Sequence, residues 1–202
     1  MLANLITLSR LVLLVLAVFL LYTDGAFIKL VAFFLTILII VMDGIDGVVA
    51  RARGEVSQLG AVMDIAIDRV VENVYWIVYA DLSLVPIWVA LVVVARGIIT
   101  DAIRGFVLAK GESAFEMMKT PWARWLVSGR PMRAFYGAMK AIVFAALALY
   151  MALRELFPGA AWLDPLSQIL FLLVLVTVLT TVLRGVPVVY ESRRYFFGEP
   201  VV

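Results

Sequence analysis

The sequence predicts an all-α integral membrane protein with six transmembrane helices. The 202 residues are 65% hydrophobic and only 16% charged, and their mean hydropathy is +1.08, which is too apolar for an ordinary soluble domain. A transmembrane helix needs about 20 mostly apolar residues, and six such runs follow one another along the chain. They lie at residues 5–22, 28–49, 59–80, 84–108, 134–153 and 166–183. Because the runs occupy most of the sequence, we expect a single membrane domain over residues 1–202.

The first run is predicted to be a membrane span and not a secretory leader. Arg10 is its only basic residue and lies inside the run, and no small-x-small cleavage pattern follows. With six spans, both termini lie on the same side of the membrane. Of the 17 Lys and Arg residues, all but Lys29 and Arg154 lie on or towards that side. Since basic loops face the cytoplasm, we expect both termini to be cytoplasmic.

The chain contains no Cys and no His. Their absence from the sequence excludes disulfides, thiolate nucleophiles, the usual zinc sites and imidazole bases. Any chemistry must therefore use carboxylates, Lys, Arg, hydroxyl groups or metal ions. The charge distribution gives no reason to expect a nucleic-acid partner. The expected surrounding, from the hydropathy of the chain, is the lipid bilayer.

Four aspartates mark the junction of the second and third runs. Asp43 and Asp46, three residues apart, end the second run, while Asp64 and Asp68, four residues apart, begin the third. Each spacing places both carboxylates on one helix face, and the short link lets the two faces converge near the cytoplasmic surface. Ionisable residues inside spans are costly and therefore indicate function. Neighbouring carboxylates also repel one another unless positive charge lies between them.

Divalent cations are the favoured source of that charge, because Mg²⁺ binds carboxylates together with substrate phosphates. Two such ions could clamp a phosphoryl group. Two alternatives stay open on spacing alone: salt bridges to Arg51, Arg53 and Arg69, or the cation pathway of a transporter. Gly47 and Gly60 flank the aspartates in helical segments, where Gly costs roughly 1 kcal/mol relative to Ala. We expect these glycines to let a ligand approach the backbone closely.

Basic residues accumulate in and around the last three runs. They come from different helices at one depth. Such a group suits a phosphate on a substrate, because Arg binds phosphate through two parallel hydrogen bonds. The candidates are Arg104 in the fourth run, Arg130, Arg133 and Lys140 at the entry of the fifth, and Arg184 after the sixth. The alternative is snorkelling towards anionic lipid, and Trp122 and Trp125 suit a segment that lies in the membrane interface.

Residues 43–68 read Asp43-x2-Asp46-Gly47-x2-Ala50-Arg51-x8-Gly60-x3-Asp64-x3-Asp68. This pattern resembles the signature of the CDP-alcohol phosphotransferase family, with every fixed position present at its spacing. The resemblance extends to the six predicted spans. The start of the chain, Asn4-x2-Thr7-x2-Arg10, is similar to the amino-terminal pattern of bacterial phosphatidylglycerophosphate synthases.

The resemblance implies a phospholipid-biosynthesis enzyme that transfers a phosphatidyl group from CDP-diacylglycerol to an alcohol and releases CMP. It implies two divalent ions, Mg²⁺ or Mn²⁺, bound by Asp43, Asp46, Asp64 and Asp68. Asp68 would also be the general base on the acceptor hydroxyl. The residues implied for CDP binding are Thr7, Gly47, Ala50, Arg51 and Gly60. The active site would be cytoplasmic, and a homodimer is considered because relatives are often homodimers.

A phosphorylated polyol is the expected acceptor, because the basic residues of the last three runs could bind its phosphate. Glycerol 3-phosphate is the first choice and inositol phosphate the alternative. Gly137-Ala138-Met139-Lys140-Ala141 departs from the Gly-Lys-x-Lys-Thr pattern usual in glycerol-phosphate enzymes, and Arg130-Pro131-x-Arg133 is similar to the inositol-phosphate branch. An ion-coupled transporter with a site near the bilayer midplane and a structural membrane scaffold are the remote alternatives.

Overall fold

The computed structural model describes the backbone of residues 2–54, 58–111 and 116–197. Side chains are described over the same ranges except at residues 2–4, 46–51, 53, 58, 59, 61, 196 and 197. In this part of the chain all regular secondary structure is helical and there is no strand. The predicted all-α fold is therefore confirmed.

Six long helices account for most of the described chain. In chain order the helices are α1 (Leu2–Tyr22), α2 (Ala26–Arg53), α3 (Gln58–Asp81), α4 (Ile87–Ala109), a single turn α5 (Pro121–Ala123), α6 (Arg130–Leu156) and α7 (Leu163–Phe197). A π-helical turn, Arg124–Ser128, follows α5. Each predicted apolar run lies within or largely overlaps one of the six long helices.

Four of these helices are long and apolar enough to cross a membrane. The qualifying segments are Leu5–Tyr22, Ala26–Ile45, Arg130–Leu156 and Leu163–Tyr195. Helices α3 and α4, at 24 and 23 residues, have the length of a span but carry several charged residues each. The apolar helices indicate a membrane protein, and the arrangement with six spans stays a prediction.

Two helix ends differ from the predicted runs. Helix α4 begins at Ile87 and not at residue 84, because Pro86 lacks the backbone N–H that a helix interior needs and suits the position before its start. Helix α7 continues to Phe197, past the predicted end at residue 183, and passes through Pro187. Arg184, expected after the last helix, therefore lies inside it.

The helices divide into two compact units, which are described separately. The first unit comprises Met1–Ile87 and Ala141–Leu172, and the second comprises Trp88–Lys140 and Leu173–Val202. Helix α1 packs against α2 and α3 inside the first unit. This packing positions the acidic residues of α2 and α3 against the side chains of α1.

An aromatic cluster anchors α3 within the first unit. The rings of Tyr75, Trp76 and Tyr79 lie with their centroids 5.1 to 6.1 Å from that of Phe144. The Tyr79 hydroxyl also donates a 2.7 Å hydrogen bond to the carbonyl of Phe144. All four side chains are buried. Their packing at residues 75–79 holds α3, the helix that also carries Asp64 and Asp68.

A buried cation ties the turn between α1 and α2 to α6. Lys29 is 4% exposed, donates a hydrogen bond from Nζ to the carbonyl of Leu21, and lies 3.7 Å from the Glu155 carboxylate. Glu155 also accepts a 2.7 Å hydrogen bond from the backbone N–H of Gly25. The charge of Lys29 is thus paired at the Tyr22 end of α1.

The second unit has its own small core around the segment that precedes α6. The buried residues of this core are Val107, Met117, Met118, Ala123, Val127 and Val188. Glu191 on α7 is 7% exposed and accepts hydrogen bonds from the backbone N–H and the hydroxyl of Thr120, at 3.0 and 2.7 Å. These bonds attach the segment to α7. They also explain why α7 continues past Pro187, because the buried face of the helix beyond Pro187 contacts this segment.

Candidate active site

Helices α2 and α3 bring three aspartates together. One oxygen from each of Asp43, Asp64 and Asp68 can be chosen so that all three lie within 4.8 Å of one another. Asp43 comes from α2, whereas Asp64 and Asp68 lie one turn apart on α3, as their spacing predicted. Each side chain is 43 to 45% exposed, so water and ligands reach the cluster. The predicted convergence of the two helix faces is present for these three residues.

The donor atoms of this cluster suit a divalent cation. Hard cations such as Mg²⁺ and Mn²⁺ prefer oxygen ligands, and carboxylates from two helices provide three of them. Asp46 follows Asp43 by three residues within α2, and its side chain lies outside the described residues. A divalent ion therefore fits the described oxygens, and the ligand role of Asp46 stays a prediction.

A buried arginine belongs to the same cluster and was not among the residues predicted for the site. Arg10 on α1 is 2% exposed. Its Nη1 lies 2.7 Å from Oδ1 of Asp43 and 3.7 Å from Oδ1 of Asp64, and its Nη2 donates a 2.8 Å hydrogen bond to Oδ1 of Asp68. The signal was present in the sequence, because a charge inside an apolar span is costly unless it is paired.

The residues predicted to bind the donor nucleotide are described only in part. Thr7 is buried on α1, one turn before Arg10. Gly60 is partly buried in the first turn of α3. The remaining three, Gly47, Ala50 and Arg51, lie in α2 beyond the side chains that the structure describes. Their assignment to the nucleotide stays a prediction.

The described residues bear only in part on the two alternatives for the aspartates. Arg69 forms an ion pair with Glu72 at 3.0 Å along α3, and the side chains of Arg51 and Arg53 lie outside the described part. A transporter site would be expected in broken helices, whereas α2 and α3 continue as helices through their aspartates. The three aspartates thus lie on two helices that continue through them, and their oxygens could hold a cation.

A second polar cluster lies in the second unit. Arg96, Arg104 and Arg133 lie close enough to Arg184 for their charges to repel its guanidinium. Asp101 lies 3.6 Å from Arg104 and offsets part of that charge. Like charges held together favour binding of an anion, because the anion relieves their repulsion. Two of the predicted acceptor ligands, Arg104 and Arg133, thus lie near a third, Arg184, and so does Arg96.

The ring of Tyr136 contacts two of the predicted cations. The guanidinium carbon of Arg184 is 5.2 Å from the ring centroid, and Nζ of Lys140 is 4.7 Å from it. The hydroxyl oxygens of Tyr136 and Thr181 lie 3.1 Å apart. Cation–π contacts of this kind hold the two cations beside a buried ring, so Lys140 belongs to the same cluster.

Arg184 also has a structural role, which its predicted position after the helix did not suggest. Its Nη1 donates a 2.8 Å hydrogen bond to the carbonyl of Leu126, and its Nη2 donates one of 3.3 Å to the carbonyl of Val127. Arg130, in contrast, is exposed at the first residue of α6, and its side chain forms no hydrogen bond or ion pair with any other described residue. Among the described residues, the Arg130 side chain shows no contact with the other predicted acceptor ligands.

A family model described as CDP-alcohol phosphatidyltransferase matches residues 1–188 of the chain. The matched range includes the three aspartates, Arg10 and the basic cluster of the second unit. No curated protein matches the chain. The similarity first seen in residues 43–68 therefore extends over nearly the whole sequence.

Proposed function

Because the chain belongs to the CDP-alcohol phosphatidyltransferase family, we propose that it transfers the phosphatidyl group of CDP-diacylglycerol to a phosphorylated polyol and releases CMP. Transfer of a phosphatidyl group from a CDP-linked donor is the reaction that the family implies. Glycerol 3-phosphate is the acceptor we favour, which would make the protein a phosphatidylglycerophosphate synthase, and inositol phosphate is the alternative. The observation that carries the proposal is the convergence of Asp43, Asp64 and Asp68 from two helices.

Two divalent ions, Mg²⁺ or Mn²⁺, are the cofactors of this proposal. Asp43, Asp46, Asp64 and Asp68 would hold them. When bound, such ions would neutralise the charge of the donor's diphosphate and make CMP a better leaving group. The oxygen ligands of the described aspartates support this choice, because hard cations prefer them.

Asp68 is the proposed general base. As the acceptor oxygen forms its bond to the phosphorus that carries diacylglycerol, its proton passes to the Asp68 carboxylate. The bond from that phosphorus to the bridging oxygen breaks, and CMP leaves with the electron pair. The hydrogen bond from Arg10 to Oδ1 of Asp68 supports this role, because it restricts the orientation of the carboxylate.

The donor nucleotide is proposed to lie beside the small residues of the motif. Gly47, Ala50 and Gly60 would line the cytidine, because small side chains let a flat ligand approach the helix backbone. Arg51 would contact the donor phosphates, and Thr7 would belong to the same site. These assignments rest on the positions of the motif.

The acceptor phosphate is proposed to bind the basic cluster of the second unit. Arg104, Arg133, Lys140 and Arg184 are its ligands in this proposal, with Arg130 as a further candidate that matters most for inositol phosphate. Mutual repulsion of arginines around Arg184 supports the assignment, since a phosphate binds Arg through paired hydrogen bonds and removes that repulsion. An unphosphorylated alcohol would offer these cations no phosphate to bind.

We also propose that all six long helices span the membrane as one domain, with both termini and the active site facing the cytoplasm. The distribution of Lys and Arg along the chain supports this orientation. A homodimer is the proposed assembly.

The decisive experiment incubates the purified protein with CDP-diacylglycerol, Mg²⁺ and one alcohol at a time, and measures CMP. Glycerol 3-phosphate should give the fastest release, followed by inositol phosphate, while inositol, serine and glycerol should give little. Fastest release with an unphosphorylated alcohol would overturn the acceptor, and absence of CMP with every alcohol would overturn the activity itself.

A further inference from the structure

Arg10 contributes to the acidic cluster in a way that neither donor nor acceptor binding explains. It lies on α1 and is 2% exposed, yet its guanidinium reaches carboxylates of two other helices. Asp43 on α2 lies at 2.7 Å and Asp68 on α3 at 2.8 Å. The carboxylate of Asp64 lies 3.7 Å away. One side chain from α1 thus links the three aspartates of α2 and α3.

The shape of the guanidinium determines what such a link can do. Its two terminal nitrogens diverge within one rigid plane, so each can orient a different carboxylate. A Lys ammonium is a single point charge on a flexible stem and would not hold the same two oxygens in that arrangement. The carboxylates in turn stabilise Arg10, since an unpaired buried charge is strongly destabilising.

We propose that Arg10 is a positioning residue for the metal site, an inference that rests on the proposed function. By pairing with Oδ1 of Asp43 and Oδ1 of Asp68, it would fix the orientation of both carboxylates and hold the acidic faces of α2 and α3 together around a cation. Carboxylate ligands in metal sites are themselves hydrogen-bonded, and loss of such a partner lowers metal affinity by about 10–100-fold. The orientation that Arg10 imposes therefore outweighs the repulsion between its charge and the cation.

Titration of the purified full-length protein with Mn²⁺, followed by electron paramagnetic resonance without substrates, tests this role independently of activity. Arg10→Gln should bind Mn²⁺ about 10–100-fold more weakly than the wild type. Arg10→Lys keeps the charge but not the fork, so it should recover only part of the affinity. Lys29→Gln is the matched control, because Lys29 is another buried cation of the first unit, paired with Glu155. It should lower thermal stability and leave Mn²⁺ affinity unchanged.

Three results would overturn the inference. Tighter Mn²⁺ binding by Arg10→Gln would make Arg10 a competitor of the cation, unchanged binding would make it purely structural, and equal weakening in Lys29→Gln would reflect general loss of stability. If Arg10→Gln fails to fold, Mn²⁺ binding by the folded Arg10→Lys variant is measured instead. An affinity equal to that of the wild type would then overturn the inference. Metal-dependent CMP release by the wild type alongside any of these results refutes only the role of Arg10. A wild-type protein that binds no Mn²⁺ refutes the proposed function as well.

Discussion

Replacement of Asp64 by Asn should remove the metal site while leaving the fold intact. The substitution preserves shape and removes one carboxylate from the three that converge within 4.8 Å. Loss of even an outer hydrogen-bond partner of a metal ligand costs about 10–100-fold in affinity. We therefore expect loss of a ligand itself to weaken divalent-ion binding by at least about 100-fold, or about 2.8 kcal/mol.

The cost to stability should be smaller, because of where Asp64 lies. Its Oδ1 is 3.7 Å from Nη1 of Arg10, and in its absence Arg10 keeps the closer carboxylates of Asp43 and Asp68, at 2.7 and 2.8 Å. Because Arg10 stays paired, we expect the loss of this longest of its three contacts to cost no more than about 1 kcal/mol. For a chain of this length that corresponds to a fall in Tm of less than about 4 °C. Of the two effects, the loss of metal binding is the larger.

Mn²⁺ titration, CMP release and thermal unfolding of the purified variant measure the three quantities together. Asp164→Asn is the matched control, because Asp164 is exposed in the first turn of α7 and its loss changes the net charge equally. It should reduce stability slightly, by about 0.3–1 kcal/mol, and leave metal binding and CMP release unchanged. A folded Asp64→Asn protein with wild-type Mn²⁺ affinity would refute the assignment of this cluster as the metal site.

Four further predictions test the remaining parts of the site. Chelation with EDTA should abolish CMP release and added Mg²⁺ or Mn²⁺ should restore it; activity that persists in EDTA would contradict metal-assisted transfer. Gly60→Leu should weaken CDP-diacylglycerol binding by its bulk, whereas Gly105→Leu, at a position where a Cβ meets no atom within 4 Å, should not; equal donor binding by both would place the nucleotide elsewhere. Arg133→Ala should raise the acceptor KM by about one to two orders of magnitude, since a charge-assisted contact contributes about 1.5–3 kcal/mol, while Arg193→Ala should leave it unchanged; an unaltered KM in the first variant would exclude Arg133 as a ligand. Glu191→Ala should speed hydrogen exchange over residues 117–129, because the segment before α6 loses two hydrogen bonds of 3.0 and 2.7 Å; exchange at the wild-type rate would show that other contacts hold it.

Local patterns were sufficient for the class of fold and for the acidic cluster. Apolar runs of span length predicted all six long helices, because hydrophobicity over about 20 residues is a property of contiguous sequence. Asp64 and Asp68 converge as predicted, since a spacing of four residues puts two side chains on one face of a helix. The motif in residues 43–68 likewise indicated the family, because its fixed positions lie within two adjacent helices and their link.

Contacts between distant segments were decided only by the tertiary structure. Arg10 and Asp68 are 58 positions apart, and no periodicity within either helix encodes their hydrogen bond. Arg184 was expected beyond the last helix, but it lies inside α7 and donates to the carbonyls of Leu126 and Val127. The sequence determined by itself which charges lie in or beside apolar helices. Which charges pair with one another depends on how those helices pack, because a buried charge takes the partner that packing brings to it.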